Sequence, residues 1–152
     1  MNFQPLDIST LSSVTATFAT TEHSYTCSTV LLATICGHAF NSHGQSSFRH
    51  IIALMAAGMV ATESDAVILD LTKLKYDWGD EMAGILFYCS NHPIATGEKI
   101  PVAVITSELN HEGLTSLVRD EMLESPDDWL FPDLNAAIAS LTNRLASSRD
   151  AK

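Results

Sequence analysis

Two short runs in this sequence are almost wholly apolar: Ala66 to Leu71 (AVILDL) and Ile100 to Thr106 (IPVAVIT). A strand inside a parallel sheet reads as a continuous apolar run, because both of its faces are covered. Each run is followed by residues at helical spacing. After the first, Asp80 is placed to cap a helix to about Ser90, with Met82, Ile85, Leu86 and Cys89 on one face. After the second, the pattern predicts a helix from about Asn110 to Leu123, with Leu114, Leu117 and Val118 inward and Pro126 ending it. A sheet whose strands alternate with helices closes through right-handed crossovers, which constrains the fold more than any single motif here.

The flanks extend this order. Residues 9–29 hold twelve Ser or Thr, and Val14, Ala16 and Phe18 alternate with Thr15 and Thr17, which predicts an edge strand. Thr29 to Cys36 reads as a second, more buried strand ending before Gly37. Ser42 and Gln45 match a capping box, and Phe48, Ile51, Ile52, Met55, Met59 and Val60 then recur at helical spacing, so a helix is expected over roughly 43–61. Trp129 to Phe131 is a short strand. Asp133 caps a last helix striped by Leu134, Ala137, Ile138, Leu141 and Leu145. The expected architecture is one α/β domain of order β-β-α-β-α-β-α-β-α, a mixed central sheet with helices mainly on one side. Its expected limits are residues 13–146, with a loose arm over 1–12 and a frayed tail over 147–152.

Charge narrows the function. Lys plus Arg is 8 and Asp plus Glu is 18, a formal net charge of −10 on 152 residues. Such a chain repels phosphate backbones and anionic lipid headgroups, so neither nucleic acid nor a membrane surface is expected as a partner. The charge is uneven. Residues 1–60 carry only Asp7, Glu22 and Arg49, a net of −1, and the remaining residues carry −9. From Asp120 to Asp133 there are six acids and no Lys or Arg, which reads as a solubilising face or as a docking patch for a basic partner. Three cysteines (Cys27, Cys36, Cys89) at irregular spacing form no disulfide framework, which suits a reducing, cytoplasmic setting. No signal-peptide pattern opens the chain, and the longest nearly pure apolar run, Ile51 to Ala61, is too short to span a bilayer as a helix.

The segment Ala66 to Leu86, AVILDLTKLKYDWGDEMAGIL, resembles the central strand, loop and helix of the STAS domain, found in bacterial anti-sigma-factor antagonists and at the cytoplasmic end of sulfate transporters. Asp70, Leu71 and Thr72 match the Asp-Leu-Thr ending of the family strand, and Asp77 matches the Asp of the loop that follows. IPVAVIT resembles the next strand, and WLFPDLNAAIASL the short last strand with its closing helix. The resemblance covers about residues 14–146. It implies a non-enzymatic regulatory module that works by binding another protein. The departure is that Trp78 and Gly79 stand where the family's two loop serines would be, one of them phosphorylated, so no phosphoserine switch is expected at this site. The partner-binding surface is expected to comprise Lys73, Lys75, Tyr76, Asp77, Trp78, Gly79, Asp80 and Glu81, with the helix start near Asn110.

A second resemblance is to crotonase-like acyl-CoA enzymes, or an inactive remnant of one. Trp78, Gly79 and Asp80 would stand for the first oxyanion-hole loop of that group and Gly113 for the second. Each reading has its own mark. A binding module predicts an exposed Trp78 and no pocket. A crotonase-like chain predicts a cavity between Gly79 and Gly113. A metal-binding module would bring together His38, His43 and His50 near Cys36, though their spacing enforces no such site and no metal is expected. No GxSxG, GxGxxG or phosphate-loop motif occurs, so no catalytic residue and no cofactor is expected. The helix over 43–61 is apolar over most of its circumference, which suggests a homodimer.

Overall fold

The computed structural model describes residues 12–23, 28–42, 45–76, 80–91 and 99–150. The elements are β1 (Thr15–His23), β2 (Ser28–Ala39), β3 (Asn41–Ser42), β4 (Gln45–Ser46), α1 (Ser47–Thr62), β5 (Ala66–Tyr76), α2 (Glu81–Ser90), β6 (Val102–Ile105), α3 (His111–Ser116), β7 (Leu130–Phe131) and α4 (Leu134–Asp150). Five strands form one sheet in the order β1-β2-β5-β6-β7. β1 is antiparallel to β2, and the other three pairings are parallel.

This order explains where the helices sit. From β2 onward each new strand is added on the same side of the last. Right-handed crossovers made in one direction place their helices on one face. α1, α2 and α3 accordingly share the larger core with Leu31, Ala33, Ile35, Val67, Leu69 and Val104. α4 follows the last strand and makes no crossover. It folds back over the opposite face, where Ala137, Leu141 and Leu145 meet Val30, Ala66, Ile68, Ala103 and Ile105. Arg144 ties it down, its Nη1 donating to the carbonyl of Val102 at 2.7 Å. Burial lowers the Arg144 pKa, opposed by the nearby Asp128 and Glu124 carboxylates.

Several local expectations are corrected. Ser42 and Gln45 do not cap α1. They pair with each other across the two-residue ribbon of β3 and β4, and the helix starts at Ser47. β2 does not stop before Gly37 but runs to Ala39. Gly37 keeps the ladder going at φ +122°, where any Cβ would stand 2.9 Å from the Ser13 carbonyl oxygen as the chain enters β1. The helix expected over Asn110 to Leu123 is α-helical only to Ser116. It then widens into a π turn over Leu117–Glu121, with the Met122 N–H donating to the Leu117 carbonyl. Leu123 ends it at φ 57°. α4 continues past Ser147 to Asp150, and its start is as expected, with Asp133 Oδ1 accepting from the Ala136 N–H at 2.9 Å. Residues 1–11 of the expected arm lie outside the described residues. Among those described, no helix is long and apolar enough to cross a membrane.

Candidate functional site

Strand β5 outlasts its neighbour. Pairing with β6 ends at Asp70 opposite Ile105, yet β5 continues to Tyr76 beside β2. A bulge falls at this point: Thr34 pairs with Asp70, but two residues later Cys36 pairs with Lys73. The extra residue reverses which side chains face the large core. Val67, Leu69 and Leu71 enter it before the bulge, and Leu74 and Tyr76 after it. The Asp-Leu-Thr motif braces the bulge. Asp70 Oδ1 accepts from the Thr72 N–H at 3.0 Å and the Thr72 hydroxyl at 2.7 Å, and Oδ2 accepts from the Thr34 hydroxyl at 3.3 Å.

Past the bulge, β5 carbonyls on the β6 side have no strand to pair with. Side chains from the turn after β6 take that place. Asn110, buried at 2% exposure, donates through Nδ2 to the carbonyls of Leu71 at 2.6 Å and Leu74 at 2.8 Å. Its Oδ1 accepts from the Ser107 N–H, and the Ser107 hydroxyl donates to the Thr72 carbonyl at 3.0 Å. Buried backbone groups are rarely left unpaired, which accounts for a buried asparagine here.

Beside this clamp lies a cavity of about 510 Å³. Asn110, Tyr76, Gly113, Ser116 and Leu117 are among the residues that line it. Its wall carries five carboxylates, Asp80, Glu108, Glu112, Asp120 and Glu121, and no Lys or Arg from the described residues. Asp120 is partly neutralised: Arg119 Nε donates to it at 2.9 Å, and this bond, foremost among the contacts, holds its carboxyl below the usual carboxylate range. Leu109, 54% exposed, is an apolar contact on the same rim. A second cavity of about 390 Å³ opens beside Pro101, at the other end of β6. It holds Lys99 and Arg144 together with Glu124.

The expected site residues divide. Lys73 to Tyr76 are not loop but the last turn-free stretch of β5. Lys73 and Lys75 are exposed, while Tyr76 is 3% exposed and packs edge-on against Phe48, ring centres 6.3 Å apart. Asp77, Trp78 and Gly79 lie outside the described residues. Asp80 and Glu81 are exposed at the start of α2. The Asp80 side chain makes no capping bond, because Asp80 is itself helical (φ −72°, ψ −15°) and lacks the extended geometry that turns a cap side chain onto the helix. The acidic run after residue 119 also divides. Asp120 and Glu121 face the cavity, Glu124 accepts from the Trp129 indole at 2.6 Å, and Asp133 caps α4. Glu108 and Glu112 join the wall without having stood out in the sequence, since both follow β6 in chain order and meet Asp80 only through the fold. Of the histidines, His38 lies on β2 against Phe40, His50 is buried on α1, and His43 is outside the described residues. No three His, Cys, Asp or Glu among the described residues converge as a metal-binding group.

No protein-family model and no curated protein matches the chain. Among solved structures it is similar to the crystal structure of an anti-sigma factor antagonist from Mycobacterium paratuberculosis, with a TM-score of 0.55 and 16% sequence identity, over 84% of this chain and 95% of that one. A likeness at this identity speaks for the fold. With the five-stranded mixed sheet, three helices on one face and one on the other, it establishes that this chain has a STAS-like fold, the first of the two architectures its sequence resembles.

Proposed function

We propose that this protein is a non-enzymatic regulatory module that binds another protein, and that the partner presents a basic surface to the carboxylate-walled cavity between the end of β5 and the start of α3. The observation that carries this reading is the wall itself: among the described residues, five carboxylates line about 510 Å³ with no Lys or Arg, and only Asp120 is paired, with Arg119 beside it. Fields from like charges along a concave surface raise the local concentration of an oppositely charged partner. Leu109 supplies an apolar contact within the charged rim. Lys73, Lys75, Tyr76, Asp77, Trp78, Gly79, Asp80 and Glu81 form the other half of the surface in this reading, with Trp78 its aromatic anchor. The STAS-like fold supports a protein partner, as does the neighbouring antagonist named above. Trp78 and Gly79 in place of the family's serine support a surface that works without phosphorylation. A net charge of −10 favours a basic protein over nucleic acid or anionic lipid, and the cysteine pattern supports a cytoplasmic setting. Self-association is the second part of the reading, supported by the apolar outward face of α1 (Ala53, Ala57, Val60, Ala61).

The binding-module reading came with the expectation of no pocket, and the cavity corrects it. That cavity touches Gly113, as a crotonase-like site would. Its acidic wall is nevertheless the wrong chemistry for acyl-CoA, whose phosphates it would repel. Affinity capture with the full chain tests the proposal. Partners recovered at about 50 mM salt should fall away by 300 mM, and recovery should drop about tenfold or more with Trp78→Ala or with Glu108→Lys combined with Glu112→Lys. Equal recovery of every partner by all three proteins would remove this end of the molecule as the interface.

A further inference from the structure

The sheet has two edges of different kinds. At one, β7 is two residues long. At the other, β1 is nine residues long and regular, and among the described residues nothing pairs with its outer side. Soluble proteins blunt such an edge with lysine, proline, a bulge or a very short strand. β1 uses none of these. Its sequence TATFATTEH contains one fully charged side chain, Glu22, near its far end, and no proline. Every residue from Thr17 to Glu22 is exposed. Phe18, at 39% exposure, lies over Gly58 of α1, where an added Cβ would come within 2.8 Å of its ring.

We infer that the outer edge of β1 pairs with β1 of a second copy of this chain, antiparallel about a two-fold axis, joining two five-stranded sheets into one. This rests on the self-association part of the proposed function for the dimer alone, and moves its seam from the outward face of α1 to the edge of β1. The strand is complementary to itself. Pairing Phe18 with its symmetry mate sets Thr15 opposite Thr21, Ala16 opposite Thr20 and Thr17 opposite Ala19, while Glu22 falls opposite Val14. Aromatic and threonine cross-strand pairs stabilise a ladder, and no like charges meet. Charge distribution selects the same edge. Two chains of −10 repel, but the first 60 residues carry a net of only −1. β1 is separated by β2 from β5, beyond which the five cavity carboxylates lie, roughly 10 Å at the usual strand spacing. That distance is about one Debye length at physiological salt. The two acidic cavities then sit on opposite flanks of the joined sheet, both open to partners.

The test is light scattering of the full chain over a range of concentrations, combined with hydrogen exchange of the amides of residues 15–21. The expected result is a species of twice 16.5 kDa at high concentration, with outward amides of β1 gaining protection as it forms. Phe18→Lys places two ammonium groups face to face and should raise the dimer dissociation constant about tenfold or more. Ile138→Lys, exposed on α4, should leave it within about threefold, while Val60→Lys reads the outward face of α1 as the competing seam. If Phe18→Lys fails to fold by circular dichroism, Thr17→Lys carries the same test from an exposed position. A monomer at all concentrations overturns self-association altogether. A dimer that survives the β1 variants but is lost with Val60→Lys keeps self-association and overturns the strand seam in favour of α1. Protection of 15–21 in a 16.5 kDa monomer assigns the edge to the chain's own residues and also overturns the proposal.

Discussion

Beyond Asp70 the backbone of β5 leans on side chains from a turn more than thirty residues away, whereas β1 is held to β2 by an unbroken nine-residue antiparallel ladder. The first arrangement places carboxylates around a cavity, and it depends on two particular residues, Asn110 and Ser107. The second depends on backbone bonds that almost any side chain permits, and it leaves a threonine-rich surface whose one fully charged side chain is Glu22. A region that needs named side chains to exist is open to disruption by single substitutions. A region built from backbone is open to pairing with more backbone.

Substitutions can break this contrast or sharpen it. The largest effect is expected from Asn110→Ala, which strands the carbonyls of Leu71 and Leu74 without donors in a buried site. The loss should be about 3 kcal/mol, read as a lower urea midpoint at unchanged slope. A loss under about 1 kcal/mol would mean that β5 holds its end without the clamp. Asp70→Ala removes the brace of the bulge, three accepted bonds in a half-buried place, and should cost about 1.5 kcal/mol by the same measurement. The smallest effect has the opposite sign. Leu123 ends the π turn in the left-handed region at φ 57°, 83% exposed, with the Glu124 N–H returning to the Val118 carbonyl. Glycine takes that conformation without its steric cost, so Leu123→Gly should stabilise the protein by about 0.5–1 kcal/mol and raise its melting temperature by a few degrees.

Much of this fold was legible in the sequence where a pattern is local. AVILDL and IPVAVIT stand as the central strands β5 and β6, and Ala137, Leu141 and Leu145 of the last stripe are buried as their spacing implies, while Leu134 and Ile138 of the same stripe are exposed. The alternation Lys73-Leu74-Lys75-Tyr76 was equally local, and it is the period-two pattern of a strand, yet it follows an extra residue that breaks the phase. Ser42 and Gln45 matched a capping box because that motif is short enough to arise in a tight ribbon. The cavity wall was legible only in part. Asp80 lies beside the loop that resembles the family's, but Glu108 and Glu112 join it around one cavity through a fold that no spacing encodes. Asn110 is buried because a strand ends early beside it, and that is a property of the sheet rather than of the local sequence.

The placement of α4 has a consequence for the order in which the protein matures. Three helices close their face of the sheet as each crossover is completed, but the other face waits for the one element that follows every strand. During synthesis, at roughly 5–20 residues per second, Val30, Ile68, Ala103 and Ile105 can form their ladder seconds before Ala137, Leu141 and Leu145 arrive to cover them. For that interval the nascent chain presents a bare apolar sheet face next to an open β1 edge. Covering of that face is therefore the step that completes the sheet, and it waits on α4.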